Sequence, residues 1–175
     1  MDHQHRKGAV VAPGGAEAAV ASVVFERRLP YPIEAVWRAL TDPEERARWF
    51  GHTTLEARQG GAITMIADGP PMPAEVRTMS GEVLVWDPPH VFEHTWKQRL
   101  IGDTVVRYEL RPDGDVTVLT LTHQGLRPKD AAGYIPGQHA YLDRLEATLA
   151  QQPVPDWQAR YRDVVGLYGP PPTWG

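Results

Sequence analysis

The sequence predicts an α+β fold in which an antiparallel β-sheet packs against one stripe of a long C-terminal α-helix. Three observations carry this expectation. Residues 53 to 123 are β-branched and aromatic runs broken by turn pairs; apolar residues recur with helical spacing over 134 to 149; and no strand alternates with a helix in the manner of a parallel sheet. A chain of 175 residues is long enough for one domain, burying about 70% of its unfolded surface without staples. We expect a flexible tail over 1–19, a folded domain over 20–151 and a helical extension over 152–175.

The elements follow in order. Residues 1 to 19 are rich in Ala and Gly without sustained periodicity, hence a mobile tail. His3 and His5 could bind metal weakly, but no further ligands lie nearby, and we read them as solvated and expect no metal site. In "VASVVFERRL", residues 20 to 29, Val23 and Phe25 share one side of a strand, with Glu26 and Arg28 on the other. Pro32 suits a first helical position, and Ile33, Val36, Trp37 and Leu40 fall at i, i+3, i+4 and i+7. Asp42 then looks like an N-cap, with Glu44 and Glu45 in the first turn of a second short helix that Gly51 ends.

Turn signals at Gly60-Gly61, Gly69-Pro70-Pro71, Asp87-Pro88-Pro89, Gly102-Asp103 and Asp113-Gly114 divide the next region into strands near 53–58, 62–67, 78–86, 90–97, 104–111 and 116–123. Period-2 alternation sets Phe92, His94 and Trp96 on one face, as it does Val106, Tyr108 and Leu110, and also Leu119, Leu121 and His123. Tyr134, Gln138, Tyr141, Leu142, Leu145 and Leu149 form a helical stripe facing the sheet, and Pro136 marks where the regular helix begins or kinks. After Pro153 and Pro155, the stripe Trp157, Tyr161, Val164, Val165 and Tyr168 predicts a short docked helix, followed by a Gly-Pro-Pro-Pro tail.

Composition excludes several functions. The chain has no cysteine, which removes disulfides, thiolate zinc sites and cysteine nucleophiles and makes the cytoplasm the default compartment. A net charge of -4 with interspersed signs gives no basic patch for nucleic acid. No apolar run approaches the roughly 20 residues of a membrane span. There is no nucleophile elbow, phosphate loop or HExxH motif, and no cofactor is expected.

The order of strand, two short helices, six-strand meander and long helix is that of a helix-grip fold. "VWRALTDPEERARWF" at 36–50, "VWDPPHVFEHTW" at 85–96, "LTLTHQGL" at 119–126 and "HAYLDRL" at 139–145 together resemble the activator of heat-shock-protein-90 ATPase homologue-like proteins of the START-like (SRPBCC) superfamily, over roughly residues 20 to 151. The resemblance implies an antiparallel β-sheet wrapped around the long C-terminal α-helix, with an apolar cavity between them that binds small hydrophobic molecules, or in a minority of members supports chemistry such as polyketide cyclisation. The family pattern usually has Gly-Trp just before "HAYLDRL", where this chain has Gly137-Gln138, and a histidine one turn earlier, where it has Tyr134.

The candidate site residues are isolated polar and aromatic groups on apolar faces. His123 could serve as a general base, although a neutral histidine bonded to backbone or tyrosine is the commoner outcome. His94, between Phe92 and Trp96, would be a polar anchor in an aromatic pocket. Gln138 on a buried stripe needs a partner, and His123, Tyr108, water or a ligand could supply it. Trp37, Trp49, Phe50 and Trp86 read as core or cavity wall. Glu75, Glu82, Glu93 and Glu109 fall opposite the apolar faces and form no carboxylate pair. We therefore expect a binding protein for a small apolar molecule, with His94, Trp96, Tyr108, His123, Gln138, Tyr134, Phe92 and Trp49 as ligand contacts and no catalytic residue. A chaperone ATPase-activator-like interaction protein and a cyclase or hydrolase using a pocket histidine stay open as alternatives, as does a homodimer.

Overall fold

The alternating runs become a single antiparallel sheet, seen in a computed structural model that describes residues 6–15, 19–99 and 101–169. His3, His5 and the proline tail after Gly169 lie outside the described residues. In chain order the elements are β1 (Ala9–Val11), β2 (Ala21–Leu29), α1 (Ile33–Thr41), α2 (Pro43–Trp49), β3 (Gly51–Leu55), β4 (Ala62–Ala67), α3 (Ala74–Arg77), β5 (Thr78–Asp87), β6 (Val91–Gln98), β7 (Gly102–Asp113), β8 (Val116–Leu126), α4 (Pro128–Leu149) and α5 (Trp157–Val164), with a closing 3₁₀ turn over Val165–Tyr168. The eight strands lie in the order β1-β2-β8-β7-β6-β5-β4-β3. This is the helix-grip arrangement.

Asp42 is the N-cap its sequence context predicts: its Oδ1 accepts from the amides of Glu44 and Glu45 at 2.9 and 3.1 Å. Gly51 then turns the chain into β3 at a φ of 150°, and a Cβ there would stand 2.0 Å from the Ile66 carbonyl oxygen. Register delivers the expected faces. Phe92 pairs with Tyr108 and His94 with Val106, while Tyr108 pairs with Leu121 and Val106 with His123, and all of these side chains are buried. From α4, Ile135, Leu142 and Leu145 enter the same core, and Leu149 packs at its margin. Burying each such side chain contributes about 1.5–3 kcal/mol.

Four expectations need correction. Ala9–Val11, within the expected tail, pairs antiparallel with Val24–Ser22 of β2. Its anchors are tertiary: Gly8 lies against the Phe25 ring, where a Cβ would come within 2.5 Å, and Arg6 reaches Asp143 at 2.8 Å. The strand expected at 53–58 runs instead over Gly51–Leu55, because Gly51 pairs with Ala67. α3 was unforeseen, being only 4 residues long. Finally, of the two alternatives for Pro136, a start or a kink, the start is ruled out: α4 begins at Pro128 and Pro136 lies inside it. Pro128 occupies the first turn, where no N–H is needed, and Pro136 removes one bond from a helix of 22 residues that packing holds together.

Candidate functional site

Between the sheet and α4 lies a cavity of about 800 Å³, within the roughly 300–1,000 Å³ range of small-molecule sites. The sheet supplies Met79, Trp96, Val106, Tyr108 and Leu121, α2 and its C-cap supply Trp49 and Phe50, and α4 supplies Tyr134, Gln138, Tyr141 and Leu142. A further wall comes from α5 with Trp157 and Tyr161, facing the Pro70-Pro71-Met72 loop. Gly69 permits that approach: its φ is 127°, and a Cβ would sit 2.4 Å from Trp157. Gln158 Nε2 donates to the Gly69 carbonyl at 3.1 Å, and Trp157 stacks on Tyr161 at 5.0 Å. The stripe expected to dock the C-terminal extension thus also encloses the cavity.

Of the eight expected contacts, Trp49, Trp96, Tyr108, Tyr134 and Gln138 stand on the wall, whereas Phe92, His94 and His123 are buried behind it. The three are covered by their neighbours, His94 and His123 by Trp96 and Phe92 by Tyr108, on which it stacks at 5.8 Å. Trp96 lies 5.0 Å from the His123 ring and stacks with His94 at 6.3 Å. Three polar wall groups form one network: Tyr134 Oη donates to Gln98 Oε1, Trp96 Nε1 donates to the same oxygen at 3.3 Å, and Gln98 Nε2 donates to the Val76 carbonyl at 2.9 Å, while Gln138 Oε1 has no partner among the described residues. Burial pushes the Tyr134 and Tyr141 hydroxyls above their usual range.

Hydrogen bonding fixes the state of His123. The Trp96 carbonyl can only accept, so Thr104 Oγ1 spends its proton there, at 3.0 Å. Thr104 must therefore accept from His123 Nε2–H at 2.7 Å, leaving Nδ1 to accept from Gln138 Nε2 at 2.7 Å. Both ring nitrogens are used. Burial, with a contribution from nearby His94, lowers its pKa to about 3, and burial lowers that of His94 to about 4. His94 donates from Nδ1 to the Thr95 carbonyl at 2.8 Å, and its Nε2 has no partner among the described residues. Both histidines are neutral near pH 7.

Sequence reasoning missed three groups. Arg46, fully buried on α2, lies over the Phe50 and Trp49 rings at 4.9 and 5.1 Å. It donates to the Leu40 carbonyl at 2.9 Å and to Met65 Sδ at 3.0 Å. Cations also border the cavity at Arg77, Arg127, Lys129 and Arg162. A third cluster lies outside the cavity, around Asp143. Helical periodicity could have flagged Arg46, one turn before Trp49 and the C-cap Phe50 of α2; the border cations come from three places in the chain, α3, the start of α4 and α5, and carry no joint local signal.

Solved structures of similar shape cover most of the chain. CalU16 from Micromonospora echinospora is 24% identical with a TM-score of 0.71, over 94% of this chain and 98% of that one. Protein BPP1335 from Bordetella parapertussis is 29% identical with a TM-score of 0.70, covering 88% and 86%. MLL2253 from Mesorhizobium loti is 27% identical with a TM-score of 0.65, over 74% and 97%. No curated protein matches the sequence. Among the described residues, no helix is long and apolar enough to cross a membrane. A family profile described as Activator of Hsp90 ATPase homolog 1-like protein matches residues 30–150, more than half of the chain and all of the elements from α1 to α4 that form the cavity, and the chain accordingly belongs to that family.

Proposed function

We propose that this protein binds a small apolar, ring-containing molecule in the cavity between its sheet and α4. The observation that carries the reading is the wall itself: Trp49, Phe50, Trp96, Tyr108 and Trp157 present aromatic surface around about 800 Å³ of space. Binding, not catalysis, is the role that the histidines favour. His123 has no free lone pair with which to take a proton, and both histidines stand behind the wall.

The test is titration of the folded chain with the neutral dye N-phenyl-1-naphthylamine, followed by its emission. Saturable binding at one site is expected. Leu121→Phe, which puts a ring into the cavity, should weaken the dye at least several-fold while circular dichroism stays native. A folded wild-type protein that gives no saturable signal would end the binding hypothesis and turn attention to the ATPase-activator activity that the family's name carries.

A further inference from the structure

The chain as a whole carries a net charge of -4, yet the border of its cavity is cationic. Arg77, Arg127, Lys129 and Arg162 line it against one carboxylate, Asp130. Asp130 is already paired with Arg127 at 2.6 Å. Arg77 is held by backbone carbonyls, donating from Nε to Met72 at 2.8 Å and from Nη1 to Ala67, and no carboxylate pairs with it among the described residues. Lys129 and Arg162 are exposed and likewise make no ion pair among the described residues. Behind the wall, Arg46 adds a buried guanidinium whose Nε lacks a hydrogen-bond partner.

Two features make this more than a solvated rim. Lys129 sits in the first turn of α4, where the helix dipole disfavours a cation and where the one acid of that turn, Asp130, is already taken by Arg127; the first turn of α2, by contrast, carries Glu44 and Glu45 and no cation. The charges are also segregated from the interior: Met79, Val106, Leu121 and Leu142 form the inner wall, and the exposed cations lie at its solvent side. Low-dielectric walls beside a cluster of one sign concentrate its field on the opening.

We infer that the ligand is an amphipathic carboxylate, its apolar body inside the cavity and its carboxylate at the edge between Arg77, Lys129 and Arg162. The inference rests on the binding function proposed above and narrows it to anions.

Matched probes separate the two readings. The full chain is titrated with 1-pyrenebutyric acid and with the neutral 1-pyrenebutanol, each followed by fluorescence anisotropy at pH 7.5. The acid should bind about tenfold more tightly, since each exposed pair contributes modestly and three act together. Raising salt from 50 to 500 mM should erode that advantage by screening and leave the alcohol unchanged or slightly tighter. The Lys129→Gln/Arg162→Gln double variant, altered only at exposed positions, should cut the ratio of acid to alcohol affinity at least threefold, the acid losing more than the alcohol. Equal affinity for acid and alcohol, or a preference that survives the double substitution and high salt, overturns the inference while leaving the apolar cavity function standing. Binding of neither probe to the folded chain defeats both.

Discussion

Asp143→Asn should destabilise the protein far more than an ordinary surface substitution. Asp143 is 7% exposed on α4 and accepts from Arg27 Nη1 and Arg6 Nη2 at 2.8 Å each and from Arg160 Nε at 2.6 Å. His139 Nε2 faces the same carboxylate at 3.4 Å. Burial alone would raise the Asp143 pKa, but His139, Arg27 and Arg6 outweigh it and hold the carboxyl well below the usual carboxylate range. Removing one member of a buried pair costs about 3–5 kcal/mol. Arg27, at 3% exposure, cannot escape to water. It keeps Glu146 at 3.0 Å, however, and Arg6 and Arg160 are partly exposed, so the loss should fall to about 2–4 kcal/mol. For a chain of this size that is a fall in Tm of roughly 4–16 °C. Thermal denaturation followed by circular dichroism at pH 7.5 measures it. A fall of less than about 2 °C would refute the reasoning that this carboxylate compensates a buried cation.

Three further outcomes are expected. Stability should decline as pH drops below about 6.5, because His94 and His123 have folded-state values lowered to about 4 and about 3: groups depressed on folding stabilise fully above their unfolded pKa and lose that contribution as pH falls toward the folded one. Asp143, also depressed, keeps its contribution until far lower pH, so an unfolding midpoint in urea that stays constant from pH 7 to 4.5 would contradict the buried, neutral histidines. Gln138→Leu should cost about 1–3 kcal/mol by orphaning His123 Nδ1, with His123→Phe/Gln138→Leu recovering part of it; equal melting of all three proteins would show that the bond contributes nothing. Deleting residues 153–175 should lower Tm and weaken dye binding together, since α5 is a wall of the cavity, and loss of neither would contradict its docking.

Much of the fold is legible in the sequence because its signals are local. Asp42 caps within three residues, and the alternation through Phe92, His94 and Trp96 needs only one strand to be read. β1 could not be read that way, for its three residues depend on Arg6 meeting Asp143 across 137 positions of sequence. The start of α4 was hidden by Pro136, whose usual effect is to end or bend a helix. For the site, periodicity identified inward faces but not depth. It placed His94, Phe92 and His123 with Trp96 and Tyr108, and which of them stand on the wall and which behind it depends on the packing of neighbouring rings that a single strand does not encode. The cations at the border come from α3, α4 and α5 and meet only in three dimensions.

The position of the two histidines also bears on how a cavity of this size is kept open. Space lined only by apolar groups invites collapse, because each filled void regains dispersion contacts. Here α4 is tied to the sheet by directional bonds: Gln138 to His123, His123 to Thr104, Thr104 to the Trp96 carbonyl, and Tyr134 to Gln98. Such bonds hold a helix at one distance from the sheet in a way that leucine contacts cannot, since hydrogen bonds weaken steeply with misalignment. Four of the groups in this chain of bonds, Trp96, Gln98, Tyr134 and Gln138, are themselves wall residues. The polar column that replaces a simpler apolar stripe therefore sets the width of the cavity, and the neutral, doubly bonded His123 at its centre acts as a strut whose protonation would break the column at the Gln138 amide.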